Sequence, residues 1–281
     1  MTLNHMKVLS PHGFYRMAWR EWGAADNPRV LICVHGLTRN SMDFELLGEA
    51  LAEGWRVVAP DMPGRGESGK LAVSADYDIP TYAAAVAALI GRLAADEVAF
   101  LGTSMGGIIG MALASQPETP VTKLVLNDVG PVIALEGLQR IGGYAGGDPT
   151  YPDLAAAEQA LAPVALGFGV RTEDHLSRFT RAIMRPAEGG GFRRAADPAI
   201  MQGMANKPPT ADIAFWPIYD AITCPTLLIR GADSDLLRAD TAEEMRSRGP
   251  KCALFTVPDC GHAPMLYEES QISAIRDFLG K

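Results

Sequence analysis

Six short apolar runs, separated by stretches of helical pattern, constrain this chain more than any other feature of it. They are "RVLICVHG" (29–36), "WRVVAPDMPG" (55–64), "EVAFLG" (97–102), "VTKLVLNDVG" (121–130), "CPTLLIRG" (224–231) and "CALFTVPDCGH" (252–262). Each is apolar almost without interruption, the mark of a strand covered on both faces rather than one. Between the second and third lies "YDIPTYAAAVAALIGRLAA", Ala-rich and long enough for five turns of helix. "MGGIIGMALASQ" follows the third run and predicts a helix that ends by Pro117, and "APMLYEESQISAIRDFLG" predicts a closing amphipathic helix. Strands that alternate with helices in this way form a mostly parallel sheet with helices on both faces, the α/β class.

Residues 131–217 break the rhythm. They hold "GGYAGGDP", "AEGGGFRR" and "ANKPP" with helical stretches between, and no strong strand pattern. The expected organisation is therefore a core domain of 1–130 and 218–281 interrupted by a helical cap insertion, 131–217. An insertion at the carboxyl ends of the strands overhangs the crevice where open α/β sheets bind ligands. Composition narrows the rest. A net charge of -8 gives no clustered cations for nucleic acid. No signal-peptide core and no run of 18 apolar residues is present, so a soluble, cytoplasmic protein without membrane association is expected. Cys33, Cys224, Cys252 and Cys260 lack metal or disulfide spacing and are expected to be reduced, with no metal or other cofactor.

"EVAFLGTSMGGIIG" (97–110) sets Ser104 between a buried strand and a helix. A sharp strand-to-helix turn lifts its hydroxyl clear of the sheet, and glycines on either side remove side chains that would collide. A serine hydroxyl needs a base. Of five histidines, His5 and His12 belong to an N-terminal stretch expected to be mobile, His35 to a strand-end turn, and His175 to the insertion. His262, in "PDCGHAP" just past the last strand, shares the carboxyl edge of the sheet with Ser104 and is the candidate base. An acid that orients the imidazole must lie at the same edge, where Asp128, Asp233 and Asp235 all qualify. The backbone N–H groups of Leu37, after "VHG", and of Met105 are candidate donors to a developing oxyanion.

In these motifs and their order the chain resembles the α/β-hydrolase superfamily, in its serine hydrolase branch with a helical cap. "VHGLTRNSMDF" is similar to the oxyanion loop, "DMPGRGESG" to the segment after the next strand, and "GTSMGG" to the nucleophile elbow. "LLIRGADSDLL" and "GHAP" are similar to the late acid and histidine loops. The resemblance implies an eight-stranded, mostly parallel sheet with a cap inserted after strand six. It also exposes a departure: the commonest acid position, three residues after Gly231, is here Ser234, flanked by Asp233 and Asp235. Some members take the acid from the end of strand six, where Asp128 stands. Asp128 is thus favoured, Asp235 is the runner-up and Asp233 third, with Ser234 a hydrogen-bonding neighbour of the histidine.

The function this implies is a carboxylesterase-like hydrolase that cleaves a small ester, lactone or amide through an acyl-enzyme, with a small molecule as its partner. A carbon–carbon bond hydrolase of a ring-cleavage product and a non-catalytic receptor on the same fold are the alternatives. Arg39, beside Asn40, is a candidate for binding a substrate carboxylate. Arg185, Arg193, Arg194, Trp216 and Tyr219 are weaker candidates for lining the pocket.

Overall fold

The computed structural model describes residues 1–95, 97–145, 149–202 and 208–280, so parts of "GGYAGGDP" and "ANKPP" lie outside the described residues. Strands β1 (Thr2–Ser10), β2 (Gly13–Trp22), β3 (Val30–Val34), β4 (Arg56–Pro60), β5 (Val98–Thr103) and β6 (Val121–Asn127) precede the irregular region, and β11 (Thr226–Gly231) and β12 (Ala253–Val257) follow it. These eight form one sheet in the order β1-β2-β4-β3-β5-β6-β11-β12. β1 and β2 pair antiparallel, as do β2 and β4, and every other neighbouring pair is parallel. Alternate residues of β3 show why its sequence is apolar throughout. Val30, Ile32 and Val34 pack into one core with helices α2 (Ile79–Leu93) and α3 (Met105–Ala114). Leu31 and Cys33 pack into a second core on the opposite face, with α1 (Glu45–Leu51) and the closing helix Glu269–Leu279.

Two differences from the sequence expectation have physical causes. The N-terminal residues are not loose: they form the β1–β2 hairpin, in which His5 pairs with Ala18, and His12 at its turn faces Asp76 at 2.9 Å. Tyr15, Met17 and Trp19 alternate into the core and hold the hairpin on the sheet. Several expected strands also overrun. The ladder stops at Pro60, Asn127 and Val257, while the apolar runs continue because Met62 and Val129, beyond the first two, are buried in loops. Apolar character marks burial, not hydrogen-bonded pairing.

Between β6 and β11 run α4 (Leu135–Ala145), α5 (Leu154–Gly167) and α6 (Glu173–Ile183), as the pattern predicts. The same region also holds short antiparallel ladders that sequence missed: β7 (Val132–Ile133) with β10 (Ile213–Ala214), and β8 (Met184–Pro186) with β9 (Phe192–Arg194). Two or three residues leave no readable period. No helix among the described residues is long and apolar enough to cross a membrane.

The turn after β3 is built on buried polar groups. His35 is fully buried; its Nε2 accepts from the Met62 N–H at 3.0 Å, so its Nδ1 carries the proton and donates to Gly36 O at 2.7 Å. Burial, which disfavours the imidazolium, lowers the His35 pKa from 6.5 to about 4. Behind it Arg65, also buried, donates to Leu37 O, Pro63 O and the Tyr82 hydroxyl. Asp61 accepts from the Ser41 and Glu67 N–H groups and from Arg20. Helix α3 presses against the same turn, so that a Cβ on Gly106 would lie 2.0 Å from Val34 O.

Two expectations follow for stability. Between pH 6.5 and about 4 the unfolded chain protonates His35 and the folded chain does not. Stability is therefore lost as pH falls through that window, by about 3 kcal/mol at its lower end. Urea melts of wild type and H35Q across the window should show a steeper decline in wild type; parallel declines would exclude this role. G106A should cost about 3 kcal/mol in the same assay, because a methyl group is forced against backbone that cannot yield.

Candidate active site

Six strand-end loops converge at the carboxyl edge of the parallel strands. The loop after β5 places Ser104 at φ 52°, ψ -115°, a backbone state that costs a non-glycine residue about 1–3 kcal/mol. It is held there from both sides: the Ser104 N–H donates to Asn127 O at 3.0 Å, and its carbonyl accepts from the Gly107 and Ile108 N–H groups that open α3.

The Ser104 hydroxyl donates to His262 Nε2 at 2.8 Å, and His262 Nδ1 donates to Asp128 Oδ2 at 2.8 Å. Asp128 follows β6 directly at φ +56°, a left-handed turn that Asp tolerates better than most residues. Its carboxylate is wholly buried, and it accepts from the Gly231 N–H at 2.7 Å and the Ser234 hydroxyl at 2.5 Å. Ser234 in turn accepts from the Leu237 N–H at 3.1 Å, which aims its own proton at Asp128. With these donors converging on the carboxylate, the proton of neutral His262 resides on Nδ1. Nε2 is left as the acceptor facing Ser104.

The three acids named from sequence therefore separate. Asp128 meets His262. Asp235 instead takes two bonds from Arg140, at 2.5 and 2.8 Å; partial burial pushes its pKa up, but the bonds and charge of Arg140 outweigh this and hold it below the ordinary value. Asp233 borders an outer cleft with Asp235 and Asp259. Ser234 belongs to the arrangement as a partner of Asp128, not of the histidine ring. Sequence reasoning passed over Asn127, whose amide nitrogen donates to Thr103 Oγ1 at 3.0 Å and to Pro264 O at 2.8 Å. It ties the serine, acid and histidine loops together. Its only sequence signal is its place beside Asp128.

In the turn after β3, Gly36 O accepts from His35 Nδ1 and from the Arg39 N–H. In a trans peptide the N–H points opposite to the carbonyl, so the Leu37 N–H is turned away from those donors. Neither it nor the Met105 N–H donates to an acceptor among the described residues. A cavity lies over Ser104, Gly36, Leu37 and His262. Most of its apolar wall comes from the region between β6 and β11: Ile141, Leu161, Val164, Phe168, Phe179 and Ile183.

Arg39 borders this cavity, but its Nε and one terminal nitrogen bond Asp43 at 2.9 and 2.5 Å, and its plane lies 4.0 Å over the Phe179 ring. Asn40 instead caps the following turn and donates to Ala182 O. Arg194 lines the cavity. Arg185 bonds Glu67, while Trp216 stacks under Arg248 and the Tyr219 hydroxyl donates to Met245 O; these three and Arg193 are outside the lining.

Comparison with known proteins places this geometry. The chain is 40% identical over 291 residues to the 3-hydroxybutyrate-oligomer hydrolase of Cupriavidus necator, spanning 98% of this chain and 97% of that one. A solved hydrolase structure from Rickettsia typhi is similar at a TM-score of 0.93 and 30% identity, with 99% of each chain covered. An alpha/beta hydrolase structure from Novosphingobium aromaticivorans is similar at a TM-score of 0.87 and 35% identity, covering 99% of this chain and 98% of that one. A model of the alpha/beta hydrolase family matches residues 31–274. With its own sheet order and strand-end loops, this chain belongs to the alpha/beta hydrolase family.

Proposed function

We propose that this hydrolase is a serine esterase acting on short hydroxyacid esters through an acyl-enzyme. The observation that carries the reading is the unbroken row of hydrogen bonds from Ser104 through His262 to the buried Asp128. Ser104 is the nucleophile, His262 the general base and then acid, and Asp128 the group that fixes the imidazole and stabilises its cation. The Leu37 and Met105 N–H groups form the oxyanion hole. Residues 131–217 act as a cap over the core of 1–130 and 218–281, a division supported by the β7–β10 pairing that brings the ends of the insertion together.

In the reaction, Ser104 Oγ bonds to the ester carbonyl carbon as its proton passes to His262 Nε2. The carbonyl oxygen becomes an oxyanion held by the two N–H groups. Collapse breaks the bond to the leaving alkoxide, which takes the proton from His262. Water then adds to the acyl-enzyme with His262 again as base, and the carboxylic acid departs as Ser104 regains its proton. The ester class is supported by the likeness to the 3-hydroxybutyrate-oligomer hydrolase, whose named substrate is joined by such bonds, and by the mostly apolar cavity over Ser104.

A fluorophosphonate probe should label wild type at Ser104 and leave S104A unlabelled. Hydrolysis of p-nitrophenyl butyrate should fall by about 10⁴-fold in D128N, while D235N, whose carboxylate serves Arg140, stays within about threefold of wild type. A collapse in D235N with D128N intact would reverse the assignment.

A further inference from the structure

The cavity over Ser104 is lined mostly by apolar residues, with Thr38, Thr103, Arg194 and an ion pair that the proposed chemistry does not use among the rest. Arg39 and Asp43 both line the wall. Asp43 is buried, in the turn Ser41–Phe44 that Asn40 caps and Asp61 anchors through the Ser41 N–H. An ideal Cβ on Gly36 would lie 3.7 Å from Arg39 Cγ and 3.8 Å from Ser104 Cβ, so the stem of Arg39 and the Ser104 side chain both flank Gly36. Two of the three bonds between the pair fall on Asp43 Oδ1 and one on Oδ2.

We propose that Asp43, held by Arg39, accepts a hydrogen bond from a free hydroxyl on the acyl group that Ser104 attacks, so that a hydroxyacid oligomer is cleaved from its hydroxyl end. This rests on the reading of the protein as a serine esterase. A carboxylate oxygen has two lone pairs, and Oδ2 spends one on Arg39 Nε, which leaves the second for a donor brought into the cavity that Asp43 lines. Because the pair is neutral as a whole, it does not draw in a second carboxylate, and Asp43 repels one at close range. A neutral hydroxyl meets neither obstacle. On a 3-hydroxyacyl group the hydroxyl oxygen sits three bonds from the carbonyl carbon, so it can reach a side chain that lines the same cavity as Ser104.

The direction of cleavage follows from the donor requirement. Within an oligomer every internal oxygen is an ester oxygen and carries no proton. The hydroxyl-terminal unit alone offers a donor to a carboxylate. That unit therefore becomes the acyl group, and the rest of the oligomer is the leaving alcohol.

The test uses the whole protein and 3-hydroxybutyrate trimer with a ¹³C label in its hydroxyl-terminal unit. Labelled monomer should be released first. Capping the terminal hydroxyl as a methyl ether should lower kcat/KM by about tenfold to a hundredfold, the range for a lost hydrogen bond to a charged group. The double variant R39M/D43L, which exchanges the pair for apolar side chains of similar size, should bring the free-to-capped ratio close to one. D43N, which keeps the shape, should narrow it partly, and serves if the double variant does not fold. Release of unlabelled monomer first, equal rates on free and capped trimer, or an unchanged ratio in folded variants would overturn the proposal. Failure to turn over any ester, with Ser104 unlabelled by fluorophosphonate, would remove the esterase reading as well. An active esterase with no preference for the free hydroxyl would remove the Asp43 assignment alone.

Discussion

A carboxylate with no access to water is tolerated only where donors surround it, and Asp128 meets that condition through groups drawn from distant parts of the chain. The Gly231 N–H, the Ser234 hydroxyl and the His262 ring each donate to it. Removing a partner from such a buried charge typically costs several kcal/mol, so the β11 loop and the histidine loop are bound to the end of β6 by the need to satisfy that charge. The orientation of His262, and through it the hydrogen bond to Ser104, depends on this one site. Ser234 occupies the position where the resemblance leads one to look for the acid. It serves here as a donor to an acid that comes from the preceding strand of the sheet.

A second buried polar cluster does for the turn after β3 what Asp128 does for the histidine. His35, Arg65 and Asp61 place no atom that the proposed reaction needs, yet between them they fix the Gly36 and Leu37 carbonyls and the turn that follows. The backbone N–H of Leu37 is aimed by where its neighbours' carbonyls are tied. Preorganisation of this kind removes the reorganisation that water would require as charge develops.

Much of this was legible in the residue order. Strands buried on both faces announce themselves by unbroken apolar runs, and Ser104, His262 and Asp128 lie where such strands end. What could not be read has identifiable causes. The choice among Asp128, Asp233 and Asp235 turns on which way each loop side chain points, and that direction is set by Arg140 and by the left-handed turn at Asp128. Arg39 invites a carboxylate when seen alone; its bonds to Asp43, four residues further on, show only in the structure. The β1–β2 hairpin was overlooked because Arg16, Arg20 and Glu21 interrupt the apolar run of "GFYRMAWREW", although Arg20 and Glu21 are themselves buried.

The β7–β10 ladder, only two residues long on each side, has a meaning for descent as well as for architecture. It clasps the chain where the excursion after β6 leaves and returns, so everything between is a detour with adjoining ends. A detour of that kind can lengthen, shorten or be exchanged for another while the sheet keeps its register. Most of the apolar lining over Ser104 comes from within it. Selection can thus rewrite the wall of the cavity in one continuous stretch of gene, with Ser104, Asp128 and His262 untouched elsewhere.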